Sequence, residues 1–427
     1  MQINQLLQEL KNRGLISKIA HEKELIQNLS NNNSFKIYCG FDPTSDSLHI
    51  GHLLPMLCVK YFQAMRCIPI ILIGGATSII GDPSFKDKER RSNFKTKTKH
   101  LWEKKITKQI ITFFKTKNKN NTIKILNNFD WINNINIIDF LSIIGKQFSV
   151  NKMIKKESVK QRIKKSESGI SFTEFSYSLL QSYDFLWLFK NYKVILQIGG
   201  SDQWGNITSG IHLIKNLYKK NVSGITVPLL LKSNGQKFGK TEKETIWLNK
   251  KKTTPYKFYQ FWLNTQDKYV IKFLKLFTLI NLHKINKIEK KIINKNVILK
   301  IKKILASYIT ALIHGKYNLL SAQRITNYLF SESYLQVFET DFQQLKIDGI
   351  PSILIEKETN LQKVLLTSNL SSSKRQSRYL IKNKSIRINK KLQKNVHYEL
   401  SRNDRIFNKY TILSKGKKTH CLLFWKK

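Results

Sequence analysis

The sequence is short of acidic side chains. It has 28 Asp and Glu against 75 Lys and Arg in 427 residues, which gives a formal net charge of +47. Such an excess is expected of a protein that binds a polyanion, and nucleic acid is the natural candidate. Lysine, asparagine and isoleucine are abundant even in segments without a site-like pattern, such as 115–124 and 284–303. Codon drift in an A+T-rich genome would produce the same bias, so the charge supports RNA binding only modestly.

Cysteines and long apolar runs are also scarce. The four cysteines, Cys39, Cys58, Cys67 and Cys421, have no C-x-x-C spacing, so they predict neither a disulfide framework nor a zinc site. The most apolar stretch, 68–75, is far shorter than the roughly 20 residues that a helix needs to cross a bilayer. The N-terminus does not resemble a signal peptide. We therefore expect a cytoplasmic protein with no membrane partner.

Proline is rare and unevenly placed. Of the seven prolines, Pro43, Pro55, Pro69 and Pro83 fall in the first strand–helix units, where they favour fixed turns. Longer helical patterns alternate with predicted strands at 35–39, 68–73, 123–126, 194–198 and 225–231. This alternation is typical of an α/β fold with a Rossmann-like, doubly wound parallel sheet. In such sheets, ligands bind at the carboxyl ends of the strands.

The rest of the chain divides by its pattern. Residues 256–329 show aromatic and leucine periodicity without proline, which predicts a helical domain. After Pro351, a basic helix beginning within 371–381 and a strand at 386–389 predict a small α+β domain. We expect four segments: a catalytic domain with a connective insertion at 1–235, a loop and helical domain at 236–350, a linker at 351–360 and a small domain at 361–427.

Two histidines, His49 and His52, lie three residues apart after a predicted strand and a turn at Gly40. Apolar residues then recur at helical spacing, so both histidines are expected at a helix N-terminus. Free backbone N–H groups and the helix dipole favour an anion there, such as a triphosphate. Taken alone, an H-x-G-H string is equally compatible with two histidines that merely cap a helix.

A second motif, Lys237-Phe238-Gly239-Lys240-Thr241, places two lysines around a glycine in a polar loop. A mobile cationic clamp on phosphate needs this arrangement, although a lysine pair in so basic a chain is more often a solvated loop. In this order, the two motifs resemble the paired signatures of class I aminoacyl-tRNA synthetases. The segments 74–77, 81–84, 177–184 and 197–206 resemble the bacterial tyrosyl-tRNA synthetase family, and the likeness covers nearly the whole chain.

The resemblance implies an aminoacyl-tRNA ligase that activates L-tyrosine with ATP and transfers it to the 3′-terminal adenosine of tRNA(Tyr). A carboxylate that attacks the α-phosphate in line needs no general base, so catalysis rests on positioning and charge stabilisation. By resemblance, the catalytic residues are Thr44, His49, His52, Lys237, Lys240 and Thr241. Those that bind ATP are Gly40, Asp42, His49, Gly51, His52, Gly200, Asp202 and Lys240. Magnesium is expected to accompany the ATP phosphates, with no protein-bound metal.

The resemblance also implies a tyrosine pocket and an RNA surface. Tyr38 and Asp184 would reach the substrate hydroxyl, Asp82, Tyr177 and Gln181 its ammonium group, and Gln203 its carboxylate or the α-phosphate. The spacing of Tyr177, Gln181 and Asp184 predicts one helical face. The domain at 361–427 resembles an RNA-binding domain shared with a ribosomal small-subunit protein, in which Lys374, Arg375, Arg378, Lys382 and Lys384 would neutralise tRNA phosphates. A homodimer is implied as well.

Alternatives remain at this point. Asp202 could instead be the N-cap of a helix that begins near Trp204. The chain could be another nucleotidyl transferase of the superfamily, such as a tryptophanyl-tRNA synthetase, or an RNA-binding scaffold that has lost activity. It departs from the family at 242–245, where many relatives have a glycine pair, and at Asn249, often an aspartate. Both departures bear on the rate of loop closure.

Overall fold

The computed structural model describes residues 3–30, 35–65, 67–83, 96–116, 122–165, 169–230, 245–292, 295–330, 337–348, 350–416 and 419–426. The chain divides into two compact units, one formed by 1–249 and 266–298, the other by 250–265 and 299–427. The predicted motif Lys237 to Thr241 lies outside the described residues. The predicted boundaries at 235 and 350 remain predictions.

The described helices, in chain order, are α1 Ile3–Arg13, α2 Glu22–Ser30, α3 Leu53–Gln63, α4 Thr77–Ile80, α5 Thr96–Phe114, α6 Phe129–Ile132, α7 Ile137–Asp139, α8 Val150–Ile154, α9 Glu157–Lys165, α10 Phe172–Tyr192, α11 Trp204–Tyr218, α12 Pro255–Leu263, α13 Val270–Phe277, α14 Leu282–Lys290, α15 Lys295–Phe330, α16 Glu339–Ile347, α17 Leu361–Thr367 and α18 Lys374–Lys382. None of these described helices is long and apolar enough to cross a bilayer. The helices α12 to α15 confirm the helical prediction for 256–329.

In the first unit, the described residues form a six-stranded sheet in the order β1-β6-β5-β2-β3-β4. Its strands are β1 Lys18–Ala20, β2 Lys36–Phe41, β3 Ile68–Ile73, β4 Lys124–Asn127, β5 Val194–Gly200 and β6 Ser223–Val227. The strands β2 to β6 are parallel and β1 runs antiparallel to β6, so the prediction of a doubly wound parallel sheet is confirmed. The strand order reverses between β2 and β5, where a ligand crevice is expected.

Two local expectations for this sheet were wrong in detail, and one strand was missed. Gly40 does not form a turn, because it continues the parallel pairing of β2 with β3 opposite Leu72 and the chain leaves the strand after Phe41. The strand predicted at 225–231 ends at Val227, since Pro228 has no N–H to continue the ladder. The short edge strand β1 was not predicted.

Close packing of α10 and α11 forms much of the core on one side of the sheet. Ser171 caps the start of α10 by accepting a hydrogen bond from the Glu174 N–H at 3.2 Å. On α11, Gly210 has no side chain, and a Cβ there would lie 3.0 Å from a ring carbon of Phe185. The missing side chain lets the two helices approach, which fixes the position of α10 over the sheet.

The first helix is tied to a distant part of the same unit. Arg13, which is buried at the end of α1, donates hydrogen bonds to the carbonyl oxygens of Lys275, Thr278 and Ile280 at 3.2, 3.1 and 2.6 Å. These carbonyls lie at and beyond the C-terminal end of α13, where backbone acceptors lack helical partners. The guanidinium therefore caps the C-terminal end of α13 and links this helix to α1.

In the second unit, α12 begins at Pro255 after the N-cap Thr254, whose side chain accepts from the Lys257 N–H. The small predicted α+β domain is present. Its strands are β7 Ser352–Ile355, β8 Thr359–Asn360, β9 Ile386–Ile388, β10 Lys391–Leu392, β11 Glu399–Leu400, β12 Tyr410–Lys415 and β13 Thr419–Trp425. A five-stranded sheet in the order β10-β9-β12-β13-β7 shares a core with α17 and α18.

The predicted linker at 351–360 is not a simple connection. Residues 352–355 form β7, which pairs in parallel with the last strand β13. Ile353 is partly buried and Ile355 is buried in the core of the small domain, whereas Leu354 between them is exposed. This alternation of burial explains why the segment joins the sheet.

Candidate active site

A cavity of about 330 Å³ opens at the carboxyl ends of β2 and β5, within the first unit. It brings together predicted site residues from distant parts of the chain: Tyr38, Gly40, Asp42, Thr44, His49, Gly51, His52, Asp82, Tyr177, Gln181, Asp184, Gly200, Asp202 and Gln203. The predicted catalytic residues Lys237, Lys240 and Thr241 lie outside the described residues. The predicted RNA-binding residues Lys374, Arg375, Arg378, Lys382 and Lys384 are exposed on and just after α18, in the second unit.

At the closed end of the cavity, both carboxylate oxygens of Asp184 are held by side-chain donors. The Trp131 indole N–H donates to Oδ1 at 2.8 Å, and the Asn128 amide donates to Oδ2 at 3.0 Å. Burial raises the pKa of Asp184 to about 7, although these two hydrogen bonds oppose the shift. Around neutral pH, this carboxyl group therefore divides between an acceptor form and a protonated form.

Tyr38 lies beside this carboxyl group, fully buried at the closed end. Burial and the nearby Asp184 raise the pKa of its hydroxyl well above the usual range, so the group stays neutral and can donate. Its oxygen has no hydrogen-bond partner within the described part of the chain. A buried unpaired hydroxyl is costly and rare, which makes it a marker of a site that a ligand completes.

A second carboxylate, Asp42, is also held on both oxygens. Tyr177 donates to Oδ2 and Thr77 donates to Oδ1, both at 2.8 Å. Thr77 in turn accepts from Asn128 at 3.0 Å, so a chain of hydrogen bonds joins Asp42 to Asp184. Burial raises the pKa of Tyr177 well above normal, and Asp42 adds to the shift.

Asp82 and Gln203 form the third polar pair. The Gln203 amide donates to Asp82 Oδ2 at 2.6 Å, and its own carbonyl accepts from Asn206 at 3.3 Å. The buried Oε1 of Gln181 has no partner among the described residues. These acceptors around one cavity end suit a cation such as an ammonium group, which supplies three donors.

At the open end, His49 caps a short 3-10 helix, Ile50–His52, which continues into α3. His49 Nδ1 accepts from the Gly51 N–H, and His52 Nδ1 accepts from the His49 N–H, both at 3.1 Å. In the neutral form each ring therefore carries its proton on Nε2, as a donor suited to a phosphate oxygen. The two rings stack with centroids 4.0 Å apart. The prediction of two histidines at a helix start is confirmed.

Glycines leave room around the histidines. A Cβ at Gly51 would lie 2.9 Å from the His49 ring, so a side chain there would disturb the ring. At Gly40, no described atom lies within 4 Å of the place where a Cβ would sit, so a ligand can approach the backbone.

Asp202 belongs to a 3-10 helix, Ser201–Gln203, and α11 has Gln203 as its N-cap with no side-chain bond. The alternative reading of Asp202 as the N-cap of α11 is therefore wrong.

Sequence reasoning missed three polar residues of the site. Thr77 falls inside a segment that resembles the family, but it was given no role. Asn128 and Trp131 follow β4 and belong to no motif, so only the fold brings them to Asp184. In the part of the chain that the structure describes, no group of three or more His, Cys, Asp or Glu side chains is arranged to hold a metal ion.

Two protein families match the chain: tRNA synthetases class I (W and Y), over 30–331, and the tyrosine–tRNA ligase SYY-like C-terminal domain, over 341–423. The curated tyrosine–tRNA ligase of Buchnera aphidicola subsp. Baizongia pistaciae is 50% identical over 422 residues, 99% of each chain. That of Escherichia coli O139:H28 is 48% identical over 426 residues, 100% of each chain. A C-terminally truncated mitochondrial tyrosyl-tRNA synthetase from Aspergillus nidulans matches with a TM-score of 0.67 and 28% identity, over 76% of this chain and 94% of that chain. The chain therefore belongs to the class I tRNA synthetases of the W and Y family, among the tyrosine–tRNA ligases.

Proposed function

We propose that this chain activates L-tyrosine with ATP to tyrosyl-adenylate and pyrophosphate, and then transfers tyrosine to the 3′-terminal adenosine of tRNA(Tyr), in the cytoplasm. The buried hydroxyl of Tyr38 carries this proposal, because it lacks a partner among the described residues and lies beside Asp184. A phenol group that entered the closed end would accept from Tyr38 and donate to Asp184. Phenylalanine would leave the Tyr38 hydroxyl unpaired and would offer Asp184 no hydroxyl donor, and tyrosyl-tRNA synthetases are themselves the usual example of this principle.

The substrate ammonium group is proposed to bind Asp82, Tyr177 and Gln181. Asp82 supplies a negative charge, and the buried amide oxygen of Gln181 supplies a neutral acceptor. Gln203, which donates to Asp82, would lie near the reacting carboxylate and the α-phosphate. The amino acid would thus be oriented by both its ends, with its carboxylate directed to the open end of the cavity.

The first step is proposed to be an in-line attack of the tyrosine carboxylate on the α-phosphorus of ATP. The C–O–P bond forms as the bond to the bridging oxygen of pyrophosphate breaks, and no proton leaves the nucleophile, so no general base is needed. Thr44 and His49 would bind the departing pyrophosphate, while Gly40, Asp42, Gly51, His52, Gly200 and Asp202 would hold the nucleotide. Magnesium, bound by the ATP phosphates, would neutralise their charge.

Lys237, Lys240 and Thr241 are proposed to complete the phosphate site. The described residues on both sides of their segment lie at the open end of the cavity. Leu229 and Leu230 line the cavity. On the other side, Ile246 accepts from the Ile50 N–H at 3.0 Å, and the Leu248 N–H donates to Leu48 at 2.9 Å. We therefore propose that Lys237 and Lys240, which lie in sequence between these two points, bind the phosphates.

The small C-terminal domain is proposed to bind tRNA. Lys374, Arg375, Arg378, Lys382 and Lys384 are exposed on one basic helix and the turn after it. Such cations neutralise phosphates and set the position of the RNA, whereas base identity is read elsewhere.

We also propose a homodimer that associates through the segment 137–172. Apolar side chains in this segment are exposed to an unusual degree, with Ile138 67% and Phe172 77% accessible. A second copy of the chain would cover them, because exposed apolar side chains that are grouped in one segment mark a protein–protein contact, whereas single ones do not. Sedimentation of the wild type and of Ile138→Asp would test it. If Ile138→Asp sedimented as a dimer, as the wild type is expected to do, the proposed interface would be contradicted.

Two other functions make different demands on the site. A tryptophan-specific pocket would not need the pairing of Tyr38 with Asp184, and a scaffold without activity would not need an ordered set of polar groups around the cavity. The test is ATP–pyrophosphate exchange with tyrosine, phenylalanine and tryptophan in parallel. The kcat/KM with tyrosine is expected to exceed that with phenylalanine or tryptophan by several powers of ten, with slow exchange of phenylalanine at high concentration. An equal or higher kcat/KM with another amino acid would refute the pocket assignment, and no exchange at all would favour the scaffold.

A further inference from the structure

A row of aromatic rings leads from the tyrosine pocket to the outer strand of the sheet. The Trp131 indole, which donates to Asp184, stacks face to face on Trp187, with ring centroids 4.0 Å apart and an interplanar angle of 10°. Trp187 then contacts Tyr192, with centroids 5.7 Å apart. The Lys124 Nζ lies 4.2 Å from the centroid of Tyr192. Asp184, Trp187 and Tyr192 are all on α10, whereas Trp131 is on α6.

The helix that carries Trp131 is too short to fix its side chain alone. α6 has four residues, and its N-cap Asn128 makes no side-chain capping bond. A single helical turn is marginal without tertiary contacts. The stacked face of Trp187 supplies such a contact, and it comes from the same rigid helix that holds Asp184. Both partners of the hydrogen bond therefore depend on α10. Asp184 belongs to this helix, and the Trp131 indole packs on Trp187 of the same helix.

We propose that Trp187 is a positioning residue for tyrosine selection, because it holds the Trp131 indole in place to donate to Asp184. This inference rests on the proposed activation of tyrosine. Trp131 and Asn128 each bind one carboxylate oxygen, and they hold Asp184 in an orientation in which it does not accept from Tyr38. The Tyr38 hydroxyl stays available to the substrate, so the site is organised before tyrosine arrives.

Substitutions at Trp187 should therefore weaken the binding of tyrosine. The binding of phenylalanine should not change, because phenylalanine has no hydroxyl for Asp184 to accept from. In Trp187→Leu, the KM for tyrosine in ATP–pyrophosphate exchange is expected to rise about 3- to 10-fold, as the removal of one stacked aromatic pair implies. The kcat/KM for phenylalanine should change by less than about 2-fold. Trp187→Phe, which keeps an aromatic face, should stay close to the wild type.

Phe189→Leu is the matched control. Phe189 is a partly buried aromatic residue on the same helix, and its ring meets Tyr218 with centroids 5.8 Å apart. This variant should remove a comparable aromatic pair, yet keep the wild-type ratio of kcat/KM for tyrosine to kcat/KM for phenylalanine. If Trp187→Leu and Phe189→Leu both lower kcat/KM for tyrosine and for phenylalanine by the same factor, Trp187 only supports the core and the inference fails.

A double-mutant cycle with Trp131→Phe tests whether Trp187 acts through Trp131. Trp131→Phe removes the N–H donor, so it should raise the KM for tyrosine and move the acidic limb of the pH profile to higher pH, because Asp184 is then protonated more easily. In that background, Trp187→Leu should add little. Additive effects of the two substitutions would overturn the inference. Thermal unfolding of each variant identifies any that do not fold. If Trp187→Leu is one of them, Trp187→Met, which also lacks an aromatic face, replaces it in the cycle and should show the same non-additivity.

The wild type separates this inference from the proposed function. If the wild type exchanges no pyrophosphate with tyrosine, the proposed function fails. If it does so but the ratio of tyrosine to phenylalanine is unchanged by Trp187→Leu and Trp131→Phe, the function stands and only the role of Trp187 is refuted.

Discussion

We propose that individual residues at the closed end of the cavity decide which amino acid fits. Asp184 is held on both oxygens, whereas the neighbouring Tyr38 hydroxyl has no partner in the described chain. No described residue supplies a partner for the Tyr38 hydroxyl, so a ligand group is needed to pair with it. A ligand with a phenolic hydroxyl would accept from Tyr38 and donate to Asp184, so the proposed recognition depends on single atoms.

Replacing Asp184 with alanine should abolish tyrosine activation and leave the fold intact. The substitution removes the acceptor for the substrate hydroxyl. It leaves the Trp131 N–H and the Asn128 amide without their acceptor, which is partly offset by the loss of a desolvated carboxyl, so the melting temperature should fall only moderately. ATP–pyrophosphate exchange and circular dichroism measure the two properties. Normal exchange in this variant would exclude Asp184 from the pocket.

Tyrosine binding should depend on pH near neutrality. The pKa of Asp184 is raised to about 7, so its ionised form is lost as the pH falls through 7. The ionised form is the stronger acceptor for the proposed bond from the substrate hydroxyl, so the Kd for tyrosine should increase as the pH is lowered from 8 to 6. Equilibrium dialysis with radiolabelled tyrosine would show it. Asp184→Asn has no titrating group there, and the same slope in that variant would point to a different residue.

At the scale of elements, the sequence predicted what depends on local spacing. Tyr177, Gln181 and Asp184 were placed on one helical face, and α10 carries all three into the cavity. Asn128 and Trp131 could not be found in this way, because their contacts with Asp184 span 56 and 53 residues and follow from the order of β2, β3 and β4 in the sheet. The strand β7 was mistaken for a linker because four residues give too short a pattern.

Gly210→Ala should destabilise the packing of α10 against α11. The added methyl group would lie 3.0 Å from the Phe185 ring, and both helices would have to shift within a packed core. We expect a decrease of about 1–3 kcal/mol in the free energy of unfolding, measured by chemical denaturation. Alanine is the better helix former, so an increase in stability would mean that the helices have room to separate.

Lys240→Ala tests the proposed phosphate loop. Activation of tyrosine should slow while the Kd for tyrosine changes little, because the lysine would bind pyrophosphate and not the amino acid. Single-turnover measurements separate the two quantities. A large decrease in tyrosine binding would argue against a role on the phosphates.

For the whole molecule, activation and RNA binding are proposed to depend on separate units. Changing Lys374, Arg375 and Arg378 to Glu should weaken aminoacylation of tRNA and leave ATP–pyrophosphate exchange unchanged. The dependence of tRNA affinity on salt should also become shallower, by roughly 0.9 in slope for each phosphate that the variant no longer neutralises. An equal decrease in exchange would mean that the two functions are not separable.

The clamp of Arg13 on residues 275 to 280 has a consequence for biosynthesis. Its partners lie 262 to 267 residues further along the chain. At ~5–20 residues per second, the ribosome needs about 10–50 s to make the partners after it has made α1. During that time the amphipathic first helix can contact α2, but the part of its surface that packs on α13 has no partner. Nascent chains of this protein should therefore depend on chaperones until residue 280 has left the ribosome, and refolding should be limited by this long loop closure.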